Sequence, residues 1–292
     1  MLRILIFYFS SVVFARDMEI QRQVSDILAG PKPECPSCLE NSYKATYPLC
    51  NNGLDDSWKA NCDKLYEAGI PKDALDFTLQ SFNKNLTSFK TSKCFKWGEP
   101  KNHYSFANTN EEKFKNKVKN GIVNKCQIVI NDTREKQMQY RGTMYYIDLC
   151  SGVEPKVVKT YFNMGTGTYT NDFANVSGKK STVLGAFLTN YQVFDYQPGN
   201  EKYKKLRSFI KIQTGKSYAH GIQLFGLQGT NNNASNDMKY LHVSPYRSSW
   251  GCPSIDSKNY WMIEELAKNG PSLLVNYGEK SKMEDINKCS ED

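Results

Sequence analysis

The chain has 292 residues, 39% of them hydrophobic and 23% charged, and carries a formal net charge of +8 at pH 7. This length suits one large domain or two modest ones. The positive charge favours an anionic polymer or surface as partner. The basic residues are scattered, with neither a basic helix nor an aromatic-basic ribbon, so composition gives no reason to expect nucleic acid as a partner.

The first segment, 1–15, is typical of a secretory signal. Arg3 supplies a short charged start, an apolar run follows, and Val13-Phe14-Ala15 is suited to cleavage. An uncleaved anchor is the alternative, although the run is short for a bilayer and Arg16 ends it abruptly. No later apolar run is long enough to span a membrane. We therefore expect an exported protein, periplasmic or associated with the cell wall, with no integral span after cleavage.

Export changes how the cysteines are interpreted, because thiols pair in an oxidising compartment. There are nine of them, an odd count that leaves at least one thiol free or paired between chains. Eight are interpreted as structural: Cys35, Cys38, Cys50, Cys62, Cys94, Cys126, Cys150 and Cys289. If these eight pair with one another, the free thiol is Cys252.

Residues 16–119 are expected to form a small N-terminal region that is rich in cysteine and partly helical. Its Cys35-Pro36-Ser37-Cys38 spacing lacks the β-α-β pattern of a redox site, and a zinc site lacks a second close pair, so disulfides are favoured. Within 57–90, apolar residues at helical spacing predict two packed helices. Ser57 is a candidate cap for the first, and Pro71 suits the first turn of the second.

From about residue 126 the apolar pattern takes a period of two, which predicts strands near 126–130, 144–149 and 157–162. Gly165-Thr166-Gly167 then opens a polar loop, and a phosphate loop is set aside there because no helical pattern follows. Further strands are predicted at 183–189, 193–196, 207–213, 222–226 and 238–243, and a late helix follows them. The helix is predicted at 257–269, capped by Asp256 or Ser257 and ended by Gly270 and Pro271, with a closing strand at 272–277. We therefore expect a mainly β catalytic domain over 120–278 and a short tail over 279–292.

The candidate chemistry centres on Cys252, which follows Gly251 and lies ten residues after His242. A cysteine needs a neighbouring base to become a nucleophile at neutral pH, and His242 is placed to end a strand beside it. Gly251 allows close backbone approach, and amides near Gly251 and Cys252 are candidate oxyanion donors. The alternative is an ordinary buried cysteine and a hydrogen-bonded histidine, which spacing alone does not exclude.

The residue pattern resembles the L,D-transpeptidase (YkuD-like) catalytic domain family, in particular the murein branch with a Ser-Trp-Gly-Cys-Pro motif. Three segments carry the resemblance in order: 180–187 (Lys-Ser-Thr-Val-Leu-Gly-Ala-Phe), 221–234 (Gly-Ile-Gln-Leu-Phe-Gly-Leu-Gln-Gly-Thr-Asn-Asn-Asn-Ala), and Leu241-His242 with Ser249-Trp250-Gly251-Cys252-Pro253. The stretch 69–74 is also similar to the branch's N-terminal region. The resemblance implies a β-sandwich or barrel over roughly 60–277, with Cys252 as nucleophile, His242 as base oriented by a backbone carbonyl, and Gly251 with Cys252 lining the oxyanion hole.

The chain departs from the family in the loop between base and nucleophile. Trp250 stands where most members have a second histidine, the loop is shorter than usual, and Val243-Ser244-Pro245 replaces the glycine that follows the base.

Several neighbouring residues are candidate substrate contacts, each with a plainer alternative. Arg247 is suited to binding a substrate carboxylate, or it is a solvated loop residue. Trp250 is suited to forming a wall of the substrate cleft, or it packs in the core. Asn233 is suited to contacting substrate at the edge of the site, or it is an ordinary loop residue. His220 is the second candidate base, and His103 is interpreted as a solvated loop residue. The remaining candidates between base and nucleophile are Tyr246 and Ser249.

The expected function is peptidoglycan L,D-transpeptidation by a monomer that needs no metal and no cofactor. Cys252 would form an acyl-enzyme with a stem tetrapeptide and pass it to an amine of a second stem. The enzyme alternative is an L,D-carboxypeptidase or endopeptidase that uses the same thiol with water. The non-enzyme alternative is a secreted wall-binding module with a degenerate site.

Overall fold

The computed structural model describes residues 56–85, 104–105, 111–134, 140–152, 154–170, 180–196, 208, 211–212, 221–235, 237–244 and 248–283. The predicted signal segment lies outside these residues. So do five of the cysteines: Cys35, Cys38, Cys50, Cys94 and Cys289.

Two helices open the described chain and form the predicted helical hairpin. Helix α1 spans Asp56–Glu67 and α2 spans Lys72–Asn85. Gly69 makes the bend between them with a φ of 81°, and Pro71 follows, where its carbonyl accepts a hydrogen bond from the second helix. The Tyr145 hydroxyl donates to the Gly69 carbonyl at 2.6 Å, which ties the hairpin to the sheet below.

A third helix, α3, spans Glu111–Val118 and was not predicted. Only Phe114 and Val118 of its described side chains are buried, one turn apart, and the others are exposed. A single apolar pair in a lysine-rich stretch is too short a pattern to predict a helix, and tertiary packing supplies the stability instead.

Within the described ranges, nine strands follow or interleave with these helices. Their bounds are β1 Tyr104–Ser105, β2 Gln127–Asp132, β3 Arg141–Asp148, β4 Lys156–Asn163, β5 Gly185–Tyr196, β6 Gly221–Gly226, β7 Tyr240–Val243, β8 Ser254–Ile255 and β9 Leu273–Tyr277. Eight of them close into a barrel in the order β5-β6-β7-β8-β4-β3-β2-β9, because β9 also pairs with β5. The short β1 adds to the far end of β5. The mainly β prediction is therefore confirmed.

Strands β2, β6 and β9 are buried along their whole length, which explains their near-continuous apolar sequences, whereas β4 is half-buried or exposed before Phe162. Ile128 and Ile130 of β2 pack with the three helices, whereas Val129 between them packs on the opposite side with the late helix. Tyr145 and Tyr146 of β3 divide in the same way. The N-terminal helices thus share one hydrophobic cluster with the barrel strands.

The late helix was predicted at 257–269 and is confirmed. A 3-10 turn at Ser257–Asn259 leads into α4, Tyr260–Lys268, and Gly270 with a φ of 100° follows its end. The amphipathic face of α4 packs against β5, β6 and β7. It covers the side of the barrel that carries the candidate histidine strand.

Two strand predictions need correction. The segments 183–189 and 193–196 belong to one strand, β5, whose pairing with β6 shifts register between Thr189 and Val193. The strand predicted at 207–213 is wrong where the structure describes it, since Ser208, Lys211 and Ile212 are helical. Leu206, Phe209 and Ile210 have the i, i+3, i+4 spacing of a helix, which the sequence argument overlooked.

Three of the four described cysteines are in disulfides and one thiol is free, as the odd number of cysteines predicted. Cys126, just before β2, is bonded to Cys150, just after β3, across a sequence separation of 24. Cys62 of α1 is also disulfide-bonded, and Cys252 has a free thiol. Among the helices that the structure describes, none is long and apolar enough to cross a membrane.

Candidate active site

The candidate base, His242, lies in β7 between two neighbouring strands. It is the register partner of Gly221 on β6 and of Ser254 on β8, and its backbone N–H donates to the Pro253 carbonyl at 3.3 Å. Strands β7 and β8 run parallel, so the chain that enters β8 from Cys252 passes alongside β7. The sheet therefore brings the backbone of His242 beside Pro253, the residue that follows Cys252.

The His242 ring is oriented by its own strand. Its Nδ1 lies 2.8 Å from the Val243 carbonyl oxygen. A carbonyl can only accept, so Nδ1 carries the proton and Nε2 keeps its lone pair. Burial lowers the pKa of His242, and the bond to Val243 opposes this only in part. The imidazole is therefore neutral at neutral pH and is suited to accept a proton at Nε2.

The Cys252 thiol faces the start of the same strand. Its Sγ donates to the Met238 carbonyl at 3.5 Å, and the backbone N–H of Tyr240 is directed at the sulfur. Burial raises the pKa of Cys252, while Lys239 and the Tyr240 N–H act in the opposite direction. Because the pKa of His242 is lowered and the pKa of Cys252 is raised, the resting protein holds an uncharged imidazole and an uncharged thiol.

The segment before Cys252 is clamped by the loop that follows β4. Ser249 donates its N–H to the Met164 carbonyl at 3.0 Å, and its own carbonyl accepts from Thr166 at 3.0 Å. The loop is held in turn by Thr182, whose hydroxyl accepts from the Gly165 N–H at 2.8 Å. These bonds fix the approach of the nucleophile from the side opposite β7.

The Ser249 side chain stabilises the turn that carries the Cys252 thiol through two hydrogen bonds. Its hydroxyl oxygen accepts from the Gly251 N–H at 3.2 Å, and the hydroxyl donates to the Cys252 carbonyl. The Gly251 N–H is therefore engaged within the turn. No described residue accepts from the Cys252 N–H, which leaves that amide as the available donor for an oxyanion.

Gly251 has a backbone conformation that suits glycine. Its φ is 111°, and a Cβ added there would lie 2.4 Å from Lys239 Nζ and 2.8 Å from the Ser181 carbonyl oxygen. Both the backbone angle and the lack of space require a glycine before the nucleophile. Sequence reasoning chose Gly251 for close approach in general but did not identify what approaches it.

Two other predicted substrate contacts are described. Trp250 is 72% exposed, so it does not pack in the core, and Lys180 Nζ lies 4.9 Å from its ring centroid. Asn233 belongs to the turn after β6, where its carbonyl accepts from the Asp237 N–H at 2.9 Å. The other predicted candidates, which are His220, Tyr246 and Arg247, lie outside the described residues, and so does His103, which was predicted to be a solvated loop residue.

Sequence reasoning missed Lys239 and Asp237. Lys239 is only 4% exposed, and its Nζ lies 2.9 Å from an Asp237 carboxylate oxygen. The available signal was a lysine in the mostly apolar run Met238–Val243, three residues before the candidate base. Among the described residues, no group of three or more histidine, cysteine or acidic side chains could hold a metal ion.

Comparison with known proteins adds little to this geometry. No family model matches the chain, and no curated protein matches it. Among solved structures, one similarity is to the helical cell shape determining protein Pgp2 (K307A mutant) from Campylobacter jejuni, at 12% identity and a TM-score of 0.31. The alignment covers 53% of this chain and 48% of that one, so the chain spans about half the length of the structure it matches.

Proposed function

We propose that this protein is an exported, cysteine-dependent L,D-transpeptidase of peptidoglycan, with a YkuD-like catalytic domain. The observation that carries the proposal is the free Cys252 thiol beside the strand of His242, whose Nε2 is left unprotonated by the Nδ1 bond to Val243. The Ser-Trp-Gly-Cys-Pro motif supports the choice of stem peptides as substrate. Periplasmic or wall-associated location follows from the predicted signal segment.

The first half-reaction is acylation of Cys252. His242 Nε2 takes the thiol proton as the sulfur attacks the carbonyl carbon of the diamino acid in a stem tetrapeptide. The Cys252 N–H is positioned to donate to the oxyanion of the tetrahedral intermediate. Collapse breaks the peptide bond, and the terminal D-residue leaves as an amine that takes the proton from His242.

The second half-reaction returns the thiol. An amine of a second stem attacks the thioester, His242 takes its proton, and the new amide is the cross-link. The proton then passes from His242 to the departing sulfur. If water attacks instead, the same steps give a tripeptide stem and a regenerated enzyme, which is the L,D-carboxypeptidase alternative.

One observation favours the non-catalytic alternative, a wall-binding module. Burial raises the pKa of Cys252 and lowers that of His242, so the resting pair is uncharged rather than a thiolate and an imidazolium. A thiol that stays neutral throughout would not attack a peptide. General-base transfer meets this difficulty, because His242 Nε2 then takes the proton from the sulfur at the moment of attack rather than in the resting protein.

The deciding experiment incubates the purified protein with tetrapeptide muropeptides and separates the products by mass spectrometry. New cross-linked dimers that have lost one terminal D-residue support transpeptidation, and tripeptides alone indicate trimming. Cys252→Ala should abolish either product, and its melting temperature should stay near that of the wild type. Sacculus binding without any product, or products that persist in Cys252→Ala, would contradict the proposal.

A further inference from the structure

Lys239 is a lysine enclosed by protein beside the proposed nucleophile. Its side chain is 5% exposed, and its Nζ is paired at 2.9 Å with Asp237, whose side chain is 15% exposed. Lysine is rarely buried unless its charge is paired, because desolvating an ammonium is costly. A buried pair at this position therefore calls for a reason beyond general solubility.

The ammonium is packed against the backbone that carries the thiol. Lys239 Nζ would lie 2.4 Å from a Cβ on Gly251, and its Cε 3.4 Å away. The ammonium thus occupies the space that any other side chain at position 251 would need. The missing side chain of Gly251 and the buried charge of Lys239 are two parts of one arrangement, immediately before Cys252.

Two charged groups act on the Cys252 sulfur, Lys239 and Asp237, and both come from the turn before β7. Of the neighbouring elements, β7 carries the neutral His242, and Lys180 lies over the exposed Trp250 ring. Of the two oppositely charged groups that act on Cys252, Lys239 has the larger influence and Asp237 the smaller. The net effect of the pair therefore favours a negative sulfur.

We propose that Lys239, held in place by Asp237, is a positioning residue that stabilises the Cys252 thiolate. When the proton leaves the sulfur for His242 Nε2, the Met238 carbonyl loses its hydrogen-bond donor. The new negative charge then faces the Tyr240 N–H and the Lys239 ammonium. This inference deepens the proposed function, because it assigns the cation that the thiolate of that same site would need.

The test measures alkylation of Cys252 by iodoacetamide in the full-length, disulfide-intact protein as a function of pH. Only the thiolate reacts, so the midpoint of the rate profile reports the thiol pKa. Lys239→Met, which keeps the length and removes the charge, should move the midpoint upward and slow alkylation near neutral pH by about tenfold, the equivalent of one pKa unit. Lys239→Arg, which keeps the charge, should stay closer to the wild type.

A matched control is Lys159→Met, because Lys159 lies over the Tyr145 ring on the helical side of the barrel. It should leave the alkylation profile unchanged. If Lys239→Met does not fold, the neutral pair Asp237→Asn with Lys239→Gln gives the same comparison with the hydrogen bond retained. A folded variant of either kind with the wild-type midpoint would overturn the inference.

Alkylation needs no wall substrate, so the two proposals fail separately. A shifted midpoint in a protein that makes no muropeptide product would leave the role of Lys239 standing and remove the transpeptidase. Normal product formation with an unshifted midpoint would do the reverse.

Discussion

Gly165 and Gly251 pack backbone against backbone. A Cβ added to Gly165 would lie 2.6 Å from the Gly251 Cα and 2.1 Å from the Lys180 carbonyl oxygen. The loop after β4 and the turn before Cys252 can therefore approach each other only because both residues lack side chains. The isolated bridge between Gly165 and Ser249 depends on this approach.

Gly165→Ala should consequently displace the turn that presents the thiol. The added methyl group meets backbone, which cannot rotate away, so we expect a stability loss of about 2 kcal/mol or more and slower alkylation of Cys252. Urea denaturation and iodoacetamide kinetics measure the two effects. The control is Gly152→Ala: no atom of the residues that the structure describes lies within 4 Å of an added Cβ, so the positive φ is the main cost. Equal thiol reactivity in both variants would contradict the prediction.

This contact also marks the limit of what the sequence predicts about the site. The sequence predicts that His242 lies near Cys252, and the structure pairs the backbone of His242 with Pro253, the residue that follows Cys252. The sequence does not predict that Gly165 supports them, since the two loops meet only through barrel closure. Nor does it predict Lys239, because a lysine in a strand is normally interpreted as solvent-facing.

The fold was predictable to a similar extent. Alternating apolar residues identified β3 and β4, and Gly270 with Pro271 identified the limit beyond which the late helix does not continue. The predicted caps were wrong, because Asp256 makes no side-chain capping hydrogen bond and the α-helix begins only after Asn259. Barrel closure through β5 and β9 was not specified, because pairing between strands far apart in sequence leaves no local pattern. The short β8, Ser254–Ile255, was missed for the same reason, since it exists only through its neighbours β7 and β4.

Trp250→Ala should separate substrate binding from stability. The side chain is 72% exposed, so its removal should change the unfolding free energy by no more than about 0.5 kcal/mol. Loss of an aromatic surface beside Cys252 should raise KM for a stem peptide roughly threefold to tenfold, the range of one stacking contact. Steady-state kinetics and urea denaturation provide the two readouts.

The matched comparison is Trp261→Ala. Trp261 packs edge-on against Tyr146 with ring centroids 5.2 Å apart, within the hydrophobic cluster of α4. Its loss should lower stability by about 2 kcal/mol or more and leave KM of the folded protein unchanged. If both tryptophans affect stability and neither affects KM, Trp250 is not a substrate contact.

Arg134 joins the helical hairpin to the barrel through two carboxylates. It reaches Asp73 of α2 at 2.6 Å and Asp132 of β2 at 2.8 Å, and its guanidinium lies over the Tyr277 ring. The Asp132 side chain is 0% exposed, so Arg134→Ala would leave a buried charge without its counter-ion. We expect a loss of about 3 kcal/mol in chemical denaturation.

The control for Arg134→Ala is the loss of an ion pair that lies on the surface. Lys64 lies 3.3 Å from Glu67, with side chains that are 45% and 68% exposed. Lys64→Ala should cost less than about 0.5 kcal/mol, because water screens the pair. A comparable cost for both substitutions would show that burial does not distinguish them.

His242 should make stability depend on pH in a defined direction. Its folded-state pKa lies below the ordinary histidine value of about 6.5, mainly through burial. Above that value the folded and unfolded chains both hold a neutral ring, so the full stability is present. As the pH falls below it, the unfolded chain takes up the proton first, and stability declines until the folded-state pKa is passed.

His242→Gln removes the titrating group while keeping a side-chain donor for the Val243 carbonyl. The difference in urea midpoint between variant and wild type should therefore move in favour of the variant from about pH 7.5 to about pH 5. A difference that stays constant across this range would mean that His242 titrates equally in both states.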